Sequence, residues 1–254
     1  MFPGFSTSSS LGWLGAARDL TVTAVEPITE NYLRLRCDDG GLLSGQFVRP
    51  TTCAELAFLV DGGTHRRYYT LVDPDPAAGT LALEFACRGG IGARWAQTAI
   101  IGDRLAARLA APRFDLPRPV DGWLIAGDAS SLPAVNSLLG AIAASDEPDV
   151  PVTIWMEYRT DDEFTLPLRA HEDHRVEWVA RGADGSSLPA VIRADAFAAA
   201  GYRGWVGTEA GATRRIADLF RHDYGLGRAA VTAQGYWVGD GAGVSTRRVM
   251  LAST

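Results

Sequence analysis

The stretch HRRYYTLVDPD, residues 65–75, decides how this chain is read. Its middle, RYYTLV, is aromatic and β-branched and runs into an Asp-Pro-Asp turn, which predicts a strand. Along a strand, residues i and i+2 share a face. Arg67 and Tyr69 therefore point one way, with Thr70 beside them at the strand's end. A guanidinium can fork onto a phosphate. A phenol ring offers a flat wall and a hydroxyl offers a donor. Together they suit an anionic aromatic ligand. The same residues also suit an amphipathic edge strand with solvated arginines, and both readings stand on this stretch alone.

Outward from it, the chain is written in two grammars. The first half holds LTVTAV, NYLRLRC, GQFVRP, ELAFLV, RYYTLV, LALEFAC and IIGDRL, short strand-like runs separated by Gly, Asp and Pro. Many short antiparallel strands closed by turns predict a β-barrel. The second half alternates strands (GWLIAGD, VTIWMEY, RVEWVA, RGWVGTE, AAVTAQGYW) with helices (SSLPAVNSLLGAIAAS, LPAVIRADAFAAAG, ATRRIADLFRHDYG). Such alternation predicts a parallel sheet covered by helices. The proline-rich segment APRFDLPRPVDG lies between the grammars and sets domains at residues 1–118 and 119–254. The fold class is thus a two-domain one, an antiparallel β-barrel followed by a parallel-sheet α/β nucleotide-binding domain.

Composition narrows the chemistry. A chain of 254 residues with net charge −6 and pI about 5.2 lacks the concentrated basic face that nucleic acid demands. No apolar run approaches the roughly 20 residues of a membrane span, and the first residues make a poor secretory signal. A cytoplasmic protein with no membrane partner is expected. All 24 basic residues are arginine, so lysine amine chemistry is excluded. Cys37, Cys53 and Cys87 form no C-x-x-C pair, and no metal site is expected. The sequence HEDH, His171 to His174, reads as a polar loop more readily than as a ligand set. No G-x-S-x-G occurs, and no catalytic side chain is assigned.

Arg67-x-Tyr69-Thr70 resembles the R-x-Y-[ST] motif of ferredoxin-reductase-like flavoproteins, and the wider chain resembles one branch of them, the siderophore-interacting proteins. GQFVRP (45–50), GGIGARWAQTAIIGDRL (89–105), AGDASSLPAV (126–135), GWVGTEA (204–210) and GYW (235–237) match that family's segments in order. The resemblance implies FAD contacts from Arg67, Tyr69 and Thr70. It implies a diphosphate wrapped by the backbone of Gly89, Gly90, Gly92, Ala93 and Trp95. It further implies NAD(P)H facing Gly127, Asp128 and Ser130 at a strand-to-helix turn, with Glu209 and Trp237 near the nicotinamide side. The turn reads equally as a simple helix start capped by Ser130 or Asp128, and Glu209 as a helix cap. Arg159 and Arg181 suit either a 2′-phosphate or solvent.

The chain also departs from the family pattern. Val72 stands where the motif continues to a second arginine, Ala129 where it has an acid, and Val238 where it has a base; Arg66 and Arg88 are near but displaced. The resemblance implies an NAD(P)H-linked reductase of ferric siderophores. The departures motivate an alternative, a flavoprotein of specialised metabolism acting on an apolar polyketide-like substrate by redox tailoring or cyclisation. A binding protein that has lost redox turnover is the third reading.

Overall fold

The structure, a computed structural model, describes residues 13–60, 62–110, 114, 116, 117, 119–146 and 148–239. The first residues of the chain, much of the proline-rich linker, and the end of the Gly-Asp-Gly-Ala-Gly run lie outside the described residues. The chain divides into two compact units, Met1–Asp115 and Leu116–Thr254.

The first unit is a seven-stranded antiparallel sheet. Its strands are β1 (Trp13–Thr29), β2 (Tyr32–Asp38), β3 (Cys53–Val60), β4 (Gly63–Thr70), β5 (Val72–Asp75), β6 (Thr80–Ala86) and β7 (Arg104–Ala110). They lie in the order β4-β3-β7-β1-β2-β6-β5. The predicted run RYYTLV is not one strand. β4 ends at Thr70, the Leu71 amide donates to the Thr52 carbonyl (2.9 Å), and Val72 starts pairing with Ala82 of β6. Consecutive residues thus serve opposite edges of one sheet. Thr70 and Val72 are separated by about 7 Å at most, so the sheet must curl into a half-barrel. Inside the curl Leu20, Leu35, Leu56, Phe58, Leu83 and Leu109 are fully buried.

Two expectations about this unit change. GQFVRP is an irregular segment, not a strand, and Phe47 within it is 78% exposed. The Gly-rich segment becomes a helix, α1 (Ile91–Thr98), absent from the predicted elements. Gly89 and Gly90 adopt φ of +89° and +84°, which turns the chain out of β6 before the helix begins.

The second unit follows the predicted alternation closely: β8 (Gly122–Asp128), α2 (Leu132–Ala143), β9 (Val152–Tyr158), β10 (Arg175–Ala180), α3 (Ser187–Ala194), β11 (Tyr202–Gly207), α4 (Ala210–His222) and β12 (Val231–Ala233). Every pairing is parallel, in the order β10-β9-β8-β11-β12. β8 is buried along its whole length, as a central parallel strand requires. The helix predicted through Gly201 stops at Ala194, where Asp195 caps it. Among the described residues no helix is long and apolar enough to cross a membrane.

Val72 is 7% exposed and its neighbour Leu71 belongs to the core. Restoring the arginine of the resembled motif at this position buries a charge. We expect Val72→Arg to lower stability by about 3 kcal/mol. An unchanged urea midpoint would show the position to be open to solvent.

Candidate functional site

In the first unit the site is built on β4 and α1. Register pairs Arg67 with Leu56 and Tyr69 with Ala54, both buried, so the two side chains share the inner face, as the period of a strand predicts. Tyr69 packs on Phe85 (centroids 4.6 Å apart) and edge-on to Phe58 (5.9 Å), which also meets Trp95 at 5.6 Å. A Cβ at Gly92 would run into the Tyr69 hydroxyl. The glycine therefore lets the helix approach the ring. Burial pushes the Tyr69 phenol well above its ordinary pKa, against the pull of Arg67, so the hydroxyl stays a donor at neutral pH. Thr70 is buried, and among the described residues its hydroxyl meets no protein partner.

Arg67 donates to the Arg66 carbonyl at 2.8 Å and, among the described residues, forms no ion pair. Arg66, by contrast, turns to Glu55 at 3.8 Å. The helix that meets Tyr69 through Gly92, α1, starts at Gly90 with no side-chain cap and no acid in its first turn. Its first backbone hydrogen bond inside the helix is Arg94 N–H to the Gly90 carbonyl, 3.1 Å. The amides before it have no helical acceptor, the ordinary condition of a helix start. Added Cβ atoms at Gly89 and Gly90 would meet nothing within 4 Å, so the approach is open. A cation with no carboxylate partner among the described residues and an uncapped helix start fit a diphosphate, and a half-buried aromatic wall fits a flavin ring.

In the second unit the donors of the AGDASSLP turn are engaged within the chain. Asp128 is 1% exposed. Its Oδ1 accepts from the Ser130 amide (2.9 Å), the Ser130 hydroxyl and the Ser131 amide (3.3 Å). Its Oδ2 accepts from the Trp237 indole N–H at 2.7 Å. The amides expected to greet a nucleotide phosphate are occupied by this carboxylate. The helix N-cap is Ser131, not Ser130 or Asp128, and Ser131 Oγ accepts from the Asp128 amide at 3.0 Å. A Cβ at Gly127 would stand 2.8 Å from Ser131 Oγ and 3.2 Å from Met156 Sδ, so this glycine serves packing. Glu209 is the N-cap of α4, accepting from the Ala212 amide at 2.9 Å. Burial raises its pKa, but the amides of Gly211, Ala212 and Gly239 and the charge of Arg215 outweigh that and hold it below the usual range.

Glu157 escaped the sequence reading. It is 2% exposed near the end of β9, in register with Asp128. Its Oε2 accepts from Arg181 at 2.5 Å, while Oε1 is buried with no partner. The one sequence signal is an acid closing an otherwise apolar strand, VTIWMEY. Arg159 and Arg181 both lie over the Trp237 ring, at 4.2 and 4.8 Å from its centroid, rather than in free solvent. His171 reaches Asp173 at 3.1 Å on an exposed loop. Among the described residues no group of three or more His, Cys, Asp or Glu could hold a metal.

A half-barrel bearing R-x-Y-T, followed by a parallel α/β unit, defines the ferredoxin-reductase-like class. Residues 120–240, most of the second unit, match the family model for siderophore-interacting proteins. SipS, the siderophore-interacting protein of Aeromonas hydrophila, superposes with a TM-score of 0.75 at 18% identity, over 89% of this chain and 93% of that one. The ferredoxin-NADP+ reductase of Plasmodium falciparum shares the fold at a TM-score of 0.65 and 11% identity, over 87% of this chain and 97% of that one. The mycobactin import ATP-binding/permease protein IrtA of Mycolicibacterium smegmatis is 31% identical over 91% of this chain. The chain spans about a quarter of that relative's length, 27%.

Burial holds the Glu157 carboxyl above its ordinary pKa of 4.5, with Arg181 working against it. The folded state then binds this proton more tightly than the unfolded state, so its contribution to stability falls as pH rises from the unfolded pKa through the folded one. Glu157→Gln cannot ionise. Its unfolding midpoint, relative to the parent's, should rise as pH increases above the ordinary carboxyl value of 4.5. A difference flat with pH would refute the burial argument.

Proposed function

We propose that the chain is an FAD-dependent oxidoreductase that uses NADH or NADPH to reduce ferric iron held by a siderophore. The observation carrying this reading is Arg67, a cation with no carboxylate partner among the described residues, on the same face of β4 as Tyr69, which α1 approaches through Gly92. Bound FAD supplies hydride acceptance from the nicotinamide and electron delivery to ferric iron, and the protein supplies position and surroundings. Arg67 neutralises the diphosphate, and the first amides of α1 complete its coordination. Tyr69, braced by Phe58 and Phe85, forms one wall for the flavin ring. Thr70 brings a hydroxyl that meets no acceptor among the described residues. The match of residues 120–240 to the siderophore-interacting model, and a relative named for mycobactin import, support iron carriers as the substrate class. Iron release follows because the reduced metal is held less tightly by ligands built for Fe(III).

A second reading, an apolar substrate without siderophore reduction, is favoured by Val72. The position where the resembled motif carries a cation is core here, and the chain offers no lysine in compensation.

The purified protein should be yellow. Anaerobic NADH or NADPH should bleach it, and a ferric siderophore should restore the colour. A colourless protein that takes up no FAD overturns both readings. Bleaching that no ferric siderophore reverses favours the second. Arg67→Ala removes a charge-assisted contact of about 2 kcal/mol, so FAD should dissociate at roughly 30-fold higher concentration. Unaltered FAD affinity in a titration would strip Arg67 of its role.

A further inference from the structure

The chain carries 30 acidic residues against 24 basic ones, yet none of the acids falls between Phe85 and Gly102. This segment holds the end of β6, the glycine turn and all of α1. Arg94 lies in that helix. Its amide makes the first helical bond, to the Gly90 carbonyl at 3.1 Å. Its side chain is exposed and, among the described residues, has no ion pair and no hydrogen bond.

That placement is unfavourable by itself. A helix start carries the positive end of the dipole, and a cation in the first turn is repelled unless an anion stands close. α1 supplies no such anion, having neither an acid in its first turn nor a side-chain cap. A helix also directs its side chains toward its own N-terminus. An arginine stem is long enough to bring the guanidinium back over the first turn, where the amides of Ile91, Gly92 and Ala93 have no helical acceptor. Gly92, two residues before Arg94, lies against the Tyr69 hydroxyl, and Arg67 shares the Tyr69 face of β4. Two arginines without acid partners among the described residues thus stand on elements that touch at Tyr69. Thr70, next along β4, adds a buried hydroxyl with no partner among the described residues.

One cation is missing from this place. Val72 stands where the resembled motif carries an arginine, and it is core. A diphosphate bears negative charge on each phosphate, and Arg67 brings a single positive charge. We infer that Arg94 is the second cation for the FAD diphosphate, supplying from α1 the charge that Val72 removes from β5. The inference rests on the flavin reading above. An anion held by the free amides of α1 ends the conflict between the guanidinium and the helix dipole. Arg94 therefore opposes folding slightly without flavin and strengthens the complex with it. A merely solvated arginine does neither.

Fluorescence titration of flavin-stripped protein with FAD, and thermal melts with and without saturating FAD, test this. Arg94→Gln keeps the helix propensity and removes the charge. It should release FAD at about tenfold higher concentration than the parent. Its melting midpoint should be equal or higher without FAD and lower with it. Added salt should weaken FAD binding less in this variant than in the parent. Arg94→Lys should recover part of the affinity, since an ammonium meets phosphate as a point charge. Equal FAD affinity of Arg94→Gln and the parent overturns the inference. A lost affinity accompanied by a lower midpoint without FAD also overturns it, because Arg94 then acts on the fold. A parent that takes up no FAD overturns the flavin reading along with it, whereas a parent and a variant that take up FAD equally overturn this inference alone.

Discussion

One stretch of chain forces the first unit into shape. Thr70 is the last residue of one edge strand and Val72 the first of the opposite edge strand. A polypeptide cannot span a flat seven-stranded sheet in two residues, so the sheet curls until its edges meet at Leu71. The curl sets the packing inside. It brings Tyr69 of β4 against Phe85 of β6, strands that stand far apart in the sheet order. α1 then fits against the ring because Gly92 has no side chain to keep it away. The residues that lock the half-barrel are thus the residues that form the proposed flavin wall. Strain in one is felt in the other.

The second unit depends on a different economy. Asp128 gathers the donors of its own turn and reaches beyond it to Trp237. A carboxylate buried this deeply is tolerable because several hydrogen bonds replace its water. A turn whose amides are free for phosphate in many parallel folds is closed here by a resident anion, and Trp237, Glu157 and the two arginines gather beside it.

Much of this was legible in the sequence, for identifiable reasons. The apolar strand VTIWMEY has its observed bounds because a buried parallel strand is a continuous run that ends where polarity begins. Arg67 and Tyr69 share a face because a strand has period two. GQFVRP misled because its apolar residues suggest burial that the fold does not give them. α1 was hidden because its two leading glycines read as a loop, and only the positive backbone angles at those glycines make a helix start there. Asp128 and Trp237 lie 109 residues apart, and Glu157 and Arg181 lie 24 apart. No local pattern announces either pair.

The absence of lysine gains meaning from these contacts. Arg181 lays its plane over Trp237 while one of its N–H groups bonds Glu157. A guanidinium can do both, since its faces stack and its edge donates. An ammonium would serve the carboxylate or the ring, and it would hold water in a place this closely packed. The arrangement around Trp237 therefore needs arginine specifically. It also needs the acids, because two guanidinium groups against one indole would repel each other without Glu157 and Asp128 nearby.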